Sequence, residues 1–440
     1  MRILLVNPPY VGWLNDIKVE PIGLLYIASY LRAHGHEVAL HDTYIGATED
    51  EFERTLIDWR PQIVGCAVYT VSEQFCMNIA RLAKRIDGGI TMVAGGPHAS
   101  FVARRMLTRC IEIDIVCHKE AEETMLAIAN RLAAGASHTD VPGISYRASS
   151  GDVVTNPYLG LQTPLDQLPW PARDLLSERY YETYRATGVI TARGCAYKCD
   201  FCVSPAFFKG VRKRDEHAVA AEIRQVIRER SIRHVRFYDD VFAYNLARTR
   251  KLHEAIGPLG ITYDCYIRID VTTAEMLKLM KASGCIQVRF GVETASEERR
   301  RQNKGGRTAS LERHREVVAA CRELGIESQA SYILGFPDET EDDMMETIEF
   351  ANRLNTDHAG FYKLTPYPGT RYWDMLDEDS VPLDDYTKFD NKVSVNDQVP
   401  SARIFDLLTR AYEMFYRDRP FPFGRPDTLR FLTSLPKLRY

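Results

Sequence analysis

From the first residue to about 134, short apolar or alternating runs are separated by longer stretches whose apolar residues recur at helical spacing. The short runs are RILLVN, EVALHD, IVGCAVYT, ITMVAGG and IDIVCH, and the longer ones include PIGLLYIASYLRAHG and SEQFCMNIARLAKRID. Strand then helix, repeated, predicts a doubly wound parallel sheet with helices on both faces, because each parallel crossover lays a helix across the sheet. Pro21 near the start of the first helical stretch and Gly35 after its end fit the usual punctuation of helix termini. Between 142 and 187 the pattern breaks into a hairpin, GISYRASSGDVVTN, and a proline-rich segment, TPLDQLPWPARDLL, which read as a joint. From 188 six further strands are expected, GVITARG, HVRFYDD, TYDCYIRID, CIQVRFGVE, SQASYILG and GFYKLTP, with helices between them. Six βα units in a row predict a (βα)6 partial TIM barrel whose chemistry sits at the carboxyl ends of its strands. The expected divisions are 1–141 for the Rossmann-like α/β domain, 142–187 for the joint, 188–375 for the barrel and 376–440 for a small, mainly helical appendix containing SARIFDLLTRAYEMFYRD.

Strand parity sorts the barrel residues. In HVRFYDDV the apolar Val235, Phe237 and Val241 are expected toward the helices, leaving His234, Arg236, Tyr238 and Asp240 toward the lumen. Cys265, Ile267 and Ile269 likewise go outward and Asp264, Tyr266 and Arg268 inward; Val288, Phe290 and Val292 go outward and Gln287, Arg289 and Glu293 inward. Internal ion pairs are the plain reading of such polar groups. The lumen cations Arg236, Arg268, Arg289 and Lys363 also allow for a substrate that carries a carboxylate or phosphate.

Composition narrows the class. A chain of 440 residues exceeds one ordinary core, and 45% hydrophobic with 26% charged residues is globular. The net charge of −4 argues against nucleic acid held by bulk electrostatics. The opening MRILLVNPPY is too short for a transmembrane segment and lacks a secretory h-region, so a cytoplasmic protein is expected. Ten cysteines are an ordinary number, and seven of them sit mostly in apolar runs as small buried hydrophobes.

The other three stand apart. RGCAYKCDFCVS places Cys195, Cys199 and Cys202 at C-x3-C-x2-C spacing with Phe201 before the last, just past the first barrel strand. Such a loop can wrap three thiolates around a [4Fe–4S] cluster and leave the fourth iron without a protein ligand. A zinc knuckle completed by a histidine such as His217 is the alternative, although zinc spacing usually shows two C-x2-C pairs.

The motif resembles the radical S-adenosylmethionine (SAM) superfamily, whose signature is C-x3-C-x-aromatic-C after the first strand of a (βα)6 barrel. The resemblance implies that the open iron binds the amino and carboxylate groups of SAM, that reduction cleaves the sulfonium to a 5′-deoxyadenosyl radical, and that an electron donor such as flavodoxin or ferredoxin is a partner. It places Phe201 near the adenine, Tyr238 and Asp239 or Asp240 at the second strand's end near the SAM amino group, and Arg268 near its carboxylate. Glu293 would meet the ribose hydroxyls, and Gly335 would lie on the fifth strand beside the adenine.

A doubly wound domain before that barrel resembles the cobalamin (B12)-binding radical SAM proteins. In NPPYVG, Asn7 and Gly12 keep the frame of the family's D-x-H-x-x-G loop, and Pro9 stands where the axial histidine would be. YTVS puts Thr70 and Ser72 where hydroxyls would meet the nucleotide tail, AGGPHAS supplies Gly95 and Gly96, and His98 reads as a satisfied loop histidine beside the ligand. Two cofactors imply methylation of an unactivated carbon or phosphorus centre of a small molecule. The alternatives are ring formation or contraction of the anaerobic magnesium-protoporphyrin ester cyclase type, an enzyme without cobalamin, and an iron–sulfur or zinc scaffold. The tail from Arg417 to Tyr440, with six basic and two acidic residues, is expected as a packed segment, a lid or a membrane contact.

Overall fold

The computed structural model describes residues 1–9, 20–376 and 393–419. The chain forms two compact units, one made mainly of Met1–Tyr184 and the other mainly of the residues that follow. The basic tail beyond 419 and Gly12 of the first loop lie outside the described residues.

The first unit is built on seven strands: β1 (Arg2–Asn7), β2 (Glu37–Asp42), β3 (Ile63–Ala67), β4 (Thr91–Gly95), β5 (Ile115–Cys117), β6 (Ile144–Arg147) and β7 (Val153–Thr155). Their order is β2-β1-β3-β4-β5-β6-β7, parallel through β5 and antiparallel beyond it. The hairpin read as part of a joint therefore extends this sheet, its alternating residues pairing with the short strand β5. The strand order switches direction between β1 and β3, and crevices for ligands open at the carboxyl ends of strands beside such a switch. The helix Ile22–Ala33 starts after Pro21, where the missing N–H is no loss, and ends ahead of Gly35 at φ +85°.

The second unit holds six parallel strands: β8 (Ala186–Val189), β11 (His234–Phe237), β12 (Thr262–Tyr266), β13 (Cys285–Glu293), β14 (Glu327–Leu334) and β15 (His358–Lys363). They stand in sequential order from β8 to β15, the topology of a partial barrel, and two-residue strands β9 (Ala192–Arg193) and β10 (Arg212–Lys213) make a small ribbon beside the first. Val235, Phe237, Cys265, Val288 and Phe290 join the helices in one apolar core. Removing such surface from water contributes about 25 cal/mol per Å2.

An open sheet leaves an edge of unpaired backbone groups, and here β15 is covered by the helix Ser401–Tyr416. Tyr416 Oη accepts from Ala359 N–H at 2.9 Å, and Tyr412 Oη accepts from Phe361 N–H at 3.0 Å. Both phenols donate back to the carbonyls of the same residues. Tyrosines four apart on a helix face thus replace part of a seventh strand. Among the described residues no helix is long and apolar enough to cross a membrane.

Candidate active site

The cysteine loop is fixed from several sides. Gly194 turns it at φ +87°, Cys199 C=O accepts from Cys202 N–H at 3.0 Å, and Asp200 N–H donates to Asn303 C=O at 2.9 Å. Gly305, at φ +65°, passes so close that a Cβ there would lie 3.0 Å from the Lys198 carbonyl. The three thiols border one cavity of about 160 Å3 at the carboxyl ends of β11, β12 and β13. All three are partly exposed, whereas the other seven cysteines are buried, as their apolar surroundings predicted. Burial raises the thiol pKa values, that of Cys202 to about 12, so iron would have to displace protons when a cluster loads.

Among the described residues no three His, Cys, Asp or Glu side chains close around a point suited to a single metal ion. Three thiols that border one cavity suit a cubane, whose iron corners are separate. The donor set fits the cluster.

Asp240 faces this cavity, accepting from Ser204 Oγ at 2.8 Å, and burial raises its pKa. Asp239 points the other way. It is buried and accepts from Thr191 N–H at 2.6 Å and from the Thr191 hydroxyl, and desolvation lifts its pKa to about 7 against those bonds. The structure therefore separates two adjacent carboxylates into one at the cavity and one that ties together the segments following β8 and β11. Tyr238 packs against Gly188, where a Cβ would come within 2.3 Å of its ring, and is not among the cavity residues.

Arg268 lines the cavity with its guanidinium 3.5 Å from the centre of the Tyr197 ring. It pairs in bidentate fashion with Asp270 at 3.0 and 3.1 Å and approaches Cys199 Sγ at 3.8 Å. Glu293 lines it too, paired with Lys304 at 3.0 Å. Phe201 contributes its ring and packs beside Phe336, Leu364 and Tyr372. Gly335 does not line the cavity; its φ of +93° and the Ile404 side chain, 2.9 Å from where a Cβ would lie, account for the glycine. Nearby, the buried Glu339 carboxylate accepts from Gly335 N–H at 2.7 Å and Phe336 N–H at 3.1 Å.

Val241, expected to face the helices, borders the cavity, because β11 ends at Phe237. Ile267, Ile269 and Phe290 join the apolar core as expected and border the cavity as well. The lumen cations are committed elsewhere. Asp264 takes Arg289 at 2.7 Å, His234 at 3.1 Å and Arg236 at 3.2 Å, and Lys363 donates to Val393 C=O and to Ser401 Oγ. Arg236, Arg268 and Arg289 each have a carboxylate partner, so their presence alone does not mark an anionic substrate.

Sequence reasoning missed Lys304, Asp270 and His314, which also line the cavity. Lys304 and His314 come from segments outside the strand ends searched, and Asp270 lies beyond the alternation of β12. His314 is 1% exposed. Its Nδ1 donates to Ser310 C=O at 2.8 Å, which leaves Nε2 an acceptor without a partner among the described residues. Burial lowers its pKa to about 4, so the ring is neutral near pH 7.

In the first unit the named side chains mostly engage one another. Asn7 Nδ2 donates to Asp42 at 2.7 Å, the Ser72 hydroxyl bonds both backbone groups of Tyr69, and Thr70 Oγ1 meets His98 Nδ1 at 3.1 Å. His98 is buried, with Nε2 3.9 Å from Glu73. Gly96, at φ +100°, brings its loop against Val68, whose backbone N and O lie 3.1 Å from where a Cβ would be; Gly95 meets only ordinary contacts. Pro9, half-buried, offers no metal-ligating atom. This edge fits a large ligand held by backbone and shape rather than by a protein–metal bond.

Comparison with known proteins places both regions. The Radical SAM superfamily model matches residues 189–351 and the B12 binding domain model residues 17–129. An uncharacterized methyltransferase of Pyrococcus horikoshii is 32% identical, covering 94% of this chain and 92% of the relative. The anaerobic magnesium-protoporphyrin IX monomethyl ester cyclase of Rubrivivax gelatinosus is 25% identical, covering 96% of this chain and 78% of its own. In fold the chain is similar to the radical SAM methyltransferase TsrM of Kitasatospora setae, solved with tryptophan and the SAM analog aza-SAM, with a TM-score of 0.71 and 21% identity over 84% of this chain and 75% of that one.

Proposed function

Because the chain belongs to the radical SAM superfamily and carries a B12 binding domain, we propose that it methylates an unactivated carbon or phosphorus centre of a small molecule, with a [4Fe–4S] cluster, SAM and cobalamin as its cofactors. The observation that supports this best is the meeting of Cys195, Cys199 and Cys202 with Asp240, Arg268 and Glu293 around one cavity. When bound, the cluster and SAM supply a 5′-deoxyadenosyl radical for hydrogen abstraction, and cobalamin supplies the methyl group, chemistry that no side-chain base can perform on a C–H bond of negligible acidity.

The chain's own residues bind and orient. The three thiolates would hold the cluster, leaving one iron for the amino and carboxylate groups of SAM. Asp240, free of any cation among its bonded partners, would receive the ammonium, and Arg268, braced by Asp270 and Tyr197, the carboxylate. Glu293 would accept from the ribose hydroxyls, and Phe201 would cover the adenine. Cobalamin would lie along the loops after β1, β3 and β4, over Asn7, Pro9, Gly95 and Gly96, with Thr70, Ser72 and His98 shaping them from behind.

Likeness to a magnesium-protoporphyrin ester cyclase keeps ring formation as a second reading. The test is to reconstitute the protein anaerobically with iron, sulfide and hydroxocobalamin and reduce it with dithionite in the presence of SAM. Release of 5′-deoxyadenosine is expected, and label from the SAM methyl should enter the corrinoid. No nucleoside would end the proposal; nucleoside without methyl transfer would favour the ring-forming reading.

A further inference from the structure

Glu293 has a backbone that side-chain-bearing residues seldom adopt, φ +71°, at the point where the register of β13 against β14 shifts. Such strain persists only where neighbours impose it, and three do so here. Gly291, two residues earlier on the same face, has no Cβ. One built there would lie 1.9 Å from Glu293 Oε1, with the other carboxylate atoms next nearest. The carboxylate therefore lies in the hollow that the glycine leaves.

Lys304 closes the hollow from above, its Nζ 3.0 Å from Glu293 Oε1 and 2.8 Å from the Gly291 carbonyl. Arg300 acts from below. It is 0% exposed, and its guanidinium donates to the carbonyls of Thr294 and Ala295, immediately after Glu293. Ala295 N–H is held in turn by Thr347 Oγ1 at 3.0 Å. An arginine removed entirely from water to bind two main-chain oxygens fixes the path of the chain at that turn.

We propose that Gly291 and Arg300 are positioning residues for the SAM site: Gly291 by omitting a side chain and Arg300 by clamping the turn, they hold the Glu293 carboxylate at one place in the cavity, set to receive a vicinal diol. This rests on the reading that Glu293 meets the SAM ribose. It predicts that the carboxylate's place, and not merely its presence, determines affinity.

Gly291→Ala is a clean perturbation. Gly291 does not occupy the left-handed region, and the clash falls on the far end of a flexible side chain, so the fold can absorb an alanine while the carboxylate must move. The experiment measures S-adenosyl-L-homocysteine binding by calorimetry to anaerobic, cluster-loaded protein, with iron and sulfide content and thermal midpoint as controls. Gly291→Ala and Glu293→Ala are each expected to weaken binding about tenfold or more, the loss of a charge-assisted hydrogen bond. In the Glu293→Ala background, Gly291→Ala should add less than about a twofold change, because the two act through one group. Arg300→Lys should likewise weaken binding when Glu293 is present and not when it is absent.

Wild-type affinity in Gly291→Ala, or losses that multiply in the double variant, would overturn the proposal. An Arg300→Lys effect of equal size in both backgrounds would remove Arg300 from it. If Glu293→Ala alone binds as wild type, the ribose assignment fails and the positioning role goes with it.

Discussion

The carboxyl edges of the two parallel sheets use polar side chains in opposite ways. At the barrel edge Asp240, Glu293, His314 and three thiols turn toward a shared cavity. At the edge of the first sheet Asn7 bonds Asp42, Ser72 bonds Tyr69 and Thr70 bonds His98. The barrel thus presents groups of defined charge at defined places, as a small zwitterionic ligand requires. The named side chains of the first sheet fix its loops instead, which leaves shape and backbone to meet the bulky ligand proposed there.

Cys199→Ala should give the largest effect. Removing one thiolate from the barrel edge is expected to bring cluster iron, acid-labile sulfide and 5′-deoxyadenosine release to background, while the corrinoid still binds. Loss of corrinoid as well would mean that the two edges are not independent.

Next comes Asp264, which pairs with Arg236 and Arg289 and bonds His234 inside the barrel. Asp264→Ala takes the shared carboxylate from two half-buried arginines and should cost roughly 1.5–3 kcal/mol in denaturant unfolding, the scale of a lost hydrogen bond to a charged group. Burial works to raise the Asp264 pKa, but His234 and the two arginines outweigh it and hold the carboxyl below its ordinary value. Its contribution is therefore present above about pH 4 and lost as pH falls through the lower folded pKa, so wild type and variant should converge in acid.

Asp239 and Glu339 behave in the reverse sense, since burial raises each to about 7. Each binds a proton in the folded state that the unfolded chain has released, so stability should fall as pH rises between about 4 and 7, by up to about 1.4 kcal/mol per pH unit for each group. Asp239→Asn should flatten that slope in cluster-free protein without weakening SAM binding. Asp240→Asn, one residue along, should weaken SAM binding, and because burial also raises the Asp240 pKa it should remove a part of the slope as well. If both variants affect binding equally, the division between structural and cavity-facing carboxylates is wrong.

The fold was largely legible because its signals are additive along the chain. Each strand of both sheets carries a β-rich run, and the alternation with helices left little room for another topology. The cysteine spacing was equally local. What the sequence hid was third-dimensional: that Asp239 would turn to Thr191 and Asp240 to the cavity, that Arg236 and Arg289 would share Asp264, and that Lys304 and His314 would enter from a loop and a helix. Parity misled at Val241 because alternation governs a strand only as far as its ladder continues. The hairpin after 142 looked like a joint because nothing in its own pattern names the strand it pairs with, yet β6 takes its partner from β5.

The smallest effect belongs to His98, and it tests the contrast most directly. Its imidazole lies near the crevice expected for cobalamin, yet it is buried and bonded to Thr70, with Glu73 beyond. A ligand to cobalt would need a free ring nitrogen at the crevice surface; a loop-fixing histidine would not. His98→Phe preserves a flat ring and removes the bond to Thr70, so the first unit should lose about 1–2 kcal/mol of stability, the scale of one buried hydrogen bond left half-made. The visible spectrum of the bound corrinoid should not change, because no nitrogen has left the metal. A shift in that spectrum would place His98 on the cobalt and make the two sheet edges alike in presenting side chains to their cofactors.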